Sequence, residues 1–273
     1  MPTRFPAGLN CGIQKSNPLY SLLSAPTQAG EWGVYYEDFQ APGNFVTLAS
    51  GAAGSASITS VPQEADGSFG NLILSTNAGT NDIQAAYVGS FAVNTPSTPY
   101  ILGGSSASND KTSEWVFSTR VRMSNAAMGF WIGLASSSAI YSAGPVDLTP
   151  DAVVGAVVNG IYFHKAISTT SIYADLRGNN QTRANQVTMT TAADAGVIGL
   201  VAHLKGTTLT YWISAMNSAG ASVWTRVSQQ QTTGLFSTSG AMGLTMGAKA
   251  ESASQRTLTI DNVLFARRSK IGR

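Results

Sequence analysis

Residues 115–135 read Trp115-Val116-Phe117-Ser118-Thr119-Arg120-Val121-Arg122-Met123-Ser124-Asn125-Ala126-Ala127-Met128-Gly129-Phe130-Trp131-Ile132-Gly133-Leu134-Ala135. Trp115, Phe117, Thr119, Val121 and Met123 alternate with Val116, Ser118, Arg120 and Arg122. Period two with one apolar and one mostly polar face predicts a half-buried strand. The stretch 129–135 is apolar on both faces and predicts a central strand, covered on each side. With residues 124–127 between them, the two read as a hairpin.

Working outward, the same alternation recurs in shorter runs, and strands are expected at 34–39, 44–48, 71–75, 84–89, 160–164, 171–176 and 186–190. Further strands are expected at 197–204, 208–214, 222–229, 241–248 and 256–266. Lys205-Gly206-Thr207 is a tight hairpin signal between two of them. In the last, Leu258 and Ile260 share one parity while Val263 and Phe265 take the other, so a bulge near Asp261-Asn262 is expected to restore register. No window holds ten residues at helical spacing; 150–154 and 192–195 are each expected to make at most one turn. About a dozen strands with short turns point to an all-β sandwich or jelly roll. No repeat of fixed period is present, which argues against a propeller or solenoid.

Composition narrows the class further. Only 11% of the 273 residues are charged and 43% are apolar, with 28 glycines. That charge share is about half the usual one. Ten Phe, nine Tyr and five Trp argue against disorder. Scarce Glu and Lys argue against a coiled coil, and no apolar run is long enough to span a membrane as a helix. The opening residues lack the apolar core of a signal peptide, so synthesis and assembly in the cytoplasm are expected.

Three regions are expected: an extended arm at 1–30, one β-sandwich at 31–266 and a basic tail at 267–273. The arm carries prolines at 2, 6, 18 and 26, which oppose helix and central strand. Yet Phe5, Leu9, Ile13, Leu19, Tyr20, Leu22 and Leu23 are apolar, unlike a solvated linker. Such an arm is expected to lie on its own domain or on a neighbouring subunit. Arg4 in the arm and Arg267, Arg268 and Lys270 in the tail make both ends basic, while residues 31–261 carry 10 basic and 14 acidic side chains. Basic ends suit an acidic surface. Ten basic residues across the body do not form the stripe that a nucleic acid needs.

No catalytic set and no metal site emerge. His164 and His203 stand alone on expected strands, and structural roles are expected for both. Cys11 is the single cysteine, which excludes an internal disulfide. No phosphate-binding glycine loop or nucleophile elbow is present. Glu37 and Asp38 are adjacent, so on a strand they face opposite ways, unlike a glycosidase pair. Asp147 and Asp151 flank Pro150 and read as turn residues, with weak calcium binding as the alternative. Trp32, Tyr35, Tyr36, Trp212 and Trp224 are candidates for stacking on sugar rings, against a plain core role.

Several strings occur in a familiar order. They are the opening Met1-Pro2-Thr3-Arg4-Phe5-Pro6-Ala7-Gly8-Leu9, then Val34-Tyr35-Tyr36-Glu37-Asp38-Phe39, then 70–78 with Asn81-Asp82. The stretch 115–134 follows, then Gly160-Ile161-Tyr162-Phe163-His164-Lys165, then 258–266. In this order the chain resembles a family of virion structural proteins of tailed bacteriophages, the head decoration or cement proteins with a concanavalin A-like jelly roll. The resemblance implies a non-enzymatic protein without cofactors, on the head surface of a virion, whose partners are the major capsid protein and copies of itself as dimer or trimer. It implies contact through the arm, and the basic tail is expected to pair with acidic patches of the same surface; no nucleic acid or membrane partner is expected. The alternative is a carbohydrate-binding β-sandwich module contacting host-surface glycans, and a third reading is a β-sandwich glycosidase or lyase.

Overall fold

The computed structural model describes residues 32–37, 39, 45–50, 57–63, 69–76, 83–88, 91–92, 95–96, 114–136, 146–148, 152–153, 160–167, 169–177, 186–191, 196–216, 222–231, 242–250 and 255–268. The expected arm at 1–30 lies outside them. Among the described residues nineteen strands follow in chain order. They are β1 (Trp32–Glu37), β2 (Phe45–Ser50), β3 (Ser57–Gln63), β4 (Phe69–Ser75), β5 (Ile83–Val88), β6 (Phe91–Ala92) and β7 (Thr95–Pro96). Next come β8 (Glu114–Met123), β9 (Gly129–Ser136), β10 (Val146–Asp147), β11 (Ala152–Val153), β12 (Gly160–Lys165) and β13 (Ser171–Arg177). The last are β14 (Gln186–Thr191), β15 (Val197–Lys205), β16 (Thr208–Met216), β17 (Ser222–Gln231), β18 (Met242–Lys249) and β19 (Thr257–Arg268).

Two antiparallel sheets form a sandwich. One, here sheet A, runs β17-β16-β15-β8-β19-β4-β3, with β1 also on β19, eight strands in all. The other, sheet B, runs β14-β13-β12-β9-β18-β5-β2. The expected hairpin of 115–123 with 129–135 is therefore not formed. β8 pairs with β15 and β19, while β9 pairs with β12 and β18 in the opposite sheet. The physical reason lies in the apolar faces. Phe117, Val121 and Met123 must oppose Phe130, Ile132 and Leu134 across the core, which a flat hairpin would place side by side. Residues 124–128 make the corner. Asn125 Oδ1 accepts from Ala127 N at 2.7 Å and Asn125 O accepts from Met128 N at 3.2 Å.

Alternation sets the rest of the core. Phe117 stacks on Phe163 at 6.2 Å between ring centroids, and Phe163 meets Tyr211 edge-on at 6.2 Å. Each such ring, buried, contributes about 1.5–3 kcal/mol. Phe39 also enters this core, although its φ is 57°. The left-handed backbone costs about 1–2 kcal/mol, which burial of the ring offsets.

Two expectations of local geometry are met. The β15–β16 hairpin turns on Gly206-Thr207, with Lys205 opposite Thr208 and Gly206 at φ 63°; glycine tolerates that φ without a Cβ clash. The register of β19 on β8 shifts between Ile260 and Asn262. The bulge is fastened by Thr119 Oγ1 donating to Asn262 O at 2.9 Å and by Arg120 Nη1 at 3.1 Å from Asp261 Oδ2.

Other expectations shift. Residues 150–154 were expected to make a turn, yet Ala152–Val153 pairs as a strand with Val146–Asp147; two β-branched valines favour that short ladder. β19 runs through Arg268, two residues past its expected end at 266. It is held extended there because β1 supplies a partner, with Trp32 opposite Arg268 and Gly33 opposite Arg267.

Candidate functional site

The two outer faces of the sandwich differ. On sheet B, three rows cross β13, β12, β9 and β18 in register. One is Tyr173-His164-Trp131-Gly247, the next Asp175-Tyr162-Gly133-Thr245, the third Arg177-Gly160-Ala135-Gly243. Large rings lean over glycines. A Cβ on Gly247 would overlap the Trp131 indole, and one on Gly160 would lie 3.0 Å from Tyr162 Cε1. His164 Nδ1 sits 3.4 Å from Asp175 Oδ2, with the two side chains 0% and 1% exposed. Tyr173 stacks on His164 at 5.5 Å, and Tyr162 meets it edge-on at 5.9 Å. Burial of polar groups is affordable only with partners. In this tight, closed set the Asp175 carboxylate faces the His164 ring.

The phenol of Tyr211, inside the core, is held far above its usual ionisation range. Burial is the main cause, and the Asp175 carboxylate and Tyr162 add to it. Among the described residues its Oη has no hydrogen-bond partner. Lys165 is buried at the end of β12, with Nζ donating to Met128 O at 3.1 Å and Ala166 O at 3.0 Å.

The outer face of sheet A is the open one. Val116, Val201 and Leu264 form a small buried apolar cluster there, with half-buried Trp212 and Trp224 packed against it. The register places Leu264, Ser118, Val201, Trp212 and Arg226 in one row. Trp224 reaches across β16 to β15, where a Cβ on Gly199 would lie 3.0 Å from its Cη2. Arg120, Arg122, Lys205 and Arg226 give this face a basic character, and Glu114 answers through His203 at 3.1 Å. The Trp212 Nε1 is buried without a hydrogen-bond partner among the described residues. This surface combines apolar area, two large rings and cationic side chains, the ingredients of a contact surface.

Of the expected contact residues, Arg4, Phe5, Leu9, Ile13, Leu19, Tyr20, Leu22, Leu23 and Lys270 lie outside the described residues. Arg267 and Arg268 end β19, with Arg267 also opposite Trp115 of β8. Trp32, Tyr35 and Tyr36 lie on β1, and the backbone alone is described there. Trp212 and Trp224 are on the outer face and not in the sandwich core. Glu37 and Asp175 belong to different sheets and share no face. Val116, Val201 and Leu264 were missed as surface formers. Their signal is an apolar residue at an outward parity, as Val116 is among Ser118, Arg120 and Arg122. Among the described residues no three His, Cys, Asp or Glu side chains gather as metal ligands, and no helix is long and apolar enough to cross a membrane.

No protein-family profile matches the sequence, and no curated protein matches it either. Solved structures do match. Peanut lectin, solved with a nine-residue peptide, superposes with a TM-score of 0.54 at 12% identity over 87% of this chain and 97% of the lectin. A seed lectin of Lotus tetragonolobus gives 0.52 at 10% identity, over 87% and 100%. A protein of unknown function from Shewanella oneidensis MR-1 gives 0.50 at 11% identity, over 89% of each chain. The chain has the concanavalin A-like jelly-roll sandwich, and likeness at such identity speaks for fold alone.

Proposed function

We propose that this chain is a non-enzymatic virion structural protein that binds the outer surface of a phage capsid and cements neighbouring major capsid protein subunits, partly through residues 1–30. The observation that carries the reading is the anchorage of that segment. The residues that follow it enter sheet A as β1, paired over six positions with β19, the strand that also binds β8 and β4. A tether can bear load only if its root is firmer than its grip, and this root is paired to a central strand of the sheet, β19. The family resemblance of the sequence points the same way. On this reading the partners are the capsid subunits and further copies of the chain, without nucleic acid, membrane or cofactor. The protein is made in the host cytoplasm and ends on the virion head. Affinity comes from many modest contacts repeated over a lattice, so no single strong site is needed.

The test is co-sedimentation of the purified protein with capsids of its own phage that lack it. Binding should saturate at a whole-number ratio to the major capsid subunits, and deletion of residues 2–28 should abolish it while leaving the circular dichroism spectrum unchanged. No sedimentation above background by the folded protein would end this reading.

A second reading rests on Trp212 and Trp224, two half-exposed rings on one outer face. Such rings stack on sugars, so the surface also fits a host glycan. Retention on a glycan panel that Trp224→Ala removes would support it, and an empty panel would discard it.

A further inference from the structure

We infer that β17 is an interface between two copies of this chain, its outer edge paired antiparallel with the same strand of a second copy about a two-fold axis through Thr225. This goes beyond the capsid reading and does not rest on it. β17 ends sheet A, with β16 on one side and no strand among the described residues on the other. At ten residues it is longer than the other strands that end a sheet path, β3 with seven and β14 and β2 with six each. Edges are normally blunted by proline, lysine or an inward charge. β17, Ser-Val-Trp-Thr-Arg-Val-Ser-Gln-Gln-Gln, has none of these; Arg226, opposite Trp212, looks outward. Val223 is 41% exposed, the one exposed large apolar side chain among the described residues. Thr225 and Arg226 are exposed too.

The sequence of this edge is complementary to itself. Trp224 and Arg226 take the outward face, opposite Ser214 and Trp212, while Thr225 lies opposite Ile213 and Val227 packs toward the core. An antiparallel pair centred on Thr225 sets Val223 against Val227 of the second copy and Trp224 against its Arg226. Thr225 then meets its own equivalent. These are β-branched, cation–π and threonine pairs, each favourable across strands, and no like charges meet. Moving the axis by one residue to Arg226 would oppose two guanidinium groups. The register shift between Tyr211 and Trp212 puts a bulge on β17 at Val227, which bounds the pairing segment. An interface of this kind is isologous and closes at two copies.

The full chain is examined by sedimentation equilibrium over a wide concentration range. A reversible species of twice the monomer mass is expected. Thr225→Lys, which sets two ammonium groups on the axis at an exposed site, should return it to monomer with an unchanged circular dichroism spectrum. In a Cys11→Ser background, Thr225→Cys should give a covalent dimer on mild oxidation, since opposed Cα atoms at about 4.5–5.5 Å suit a disulfide. Gln229→Cys, away from the axis, should not. A monomer at every concentration would overturn the proposal. So would a dimer indifferent to Thr225→Lys and untrapped at position 225, which would mean another surface.

Discussion

The indole of Trp131 rests on the backbone of Gly247, its register neighbour across β9 and β18, and its Nε1 donates to Thr245 Oγ1 at 3.1 Å. The ring is fully buried, so it has nowhere to go. Gly247→Ala should therefore destabilise the fold by about 1–3 kcal/mol or more, as overpacking does. Urea unfolding of the two proteins measures it, and an unchanged midpoint would contradict the contact.

Gly199→Ala should behave differently although a Cβ there also meets neighbours. The overlap is with Ser214 Oγ, which can rotate, and Trp224 needs to shift only a few tenths of an ångström at a half-exposed position. The expected cost is below about 1 kcal/mol. A loss as large as that of Gly247→Ala would mean that Trp224 is held rigidly.

Tyr211 predicts an alkaline limit. Its folded ionisation lies above the unfolded value near 10 because of burial, then the Asp175 charge, then Tyr162. Below that pH both states keep the proton and stability is flat. Above it the unfolded chain releases the proton and the native one does not, so stability falls by about 1.4 kcal/mol per pH unit. Tyr211→Phe should remove this slope. It should also cost little at pH 7, because the buried Oη has no partner among the described residues. Parallel stability curves for the two proteins from pH 8 to 11 would refute the assignment.

Asp175→Ala removes the carboxylate that faces His164 inside a closed surface. Leaving a buried polar group without its partner costs about 1–3 kcal/mol. Asp175→Asn should keep part of that stability by retaining an oxygen. Equal stability of the three proteins in urea would show the pair to be idle.

Much of this architecture was legible in the sequence, and the rest was hidden for definite reasons. The alternation at 115–123 specified which side chains of β8 enter the core, and the parity change after Ile260 specified the bulge. Alternation names a face but not a partner, so β8 and β9 read as a hairpin when they belong to opposite sheets. Trp212 and Trp224 were visible as rings at strand spacing; that they share one outer face with Val116 and Leu264 depends on registers between strands far apart in the chain. The packing of Tyr162 and Trp131 onto Gly160 and Gly247 was invisible for the same reason.

The backbone pairing of β1 with β19 also orders events in time. During synthesis β1, β4 and β8 emerge early, yet each has a place beside β19, which leaves the ribosome after all three. Sheet A cannot close on a growing chain. A polypeptide cut short before residue 257 would keep three strands with bare edges, open to proteases and to one another. Closure of sheet A thus waits on residues 257–268, which join the beginning, the middle and the far part of the chain in one step.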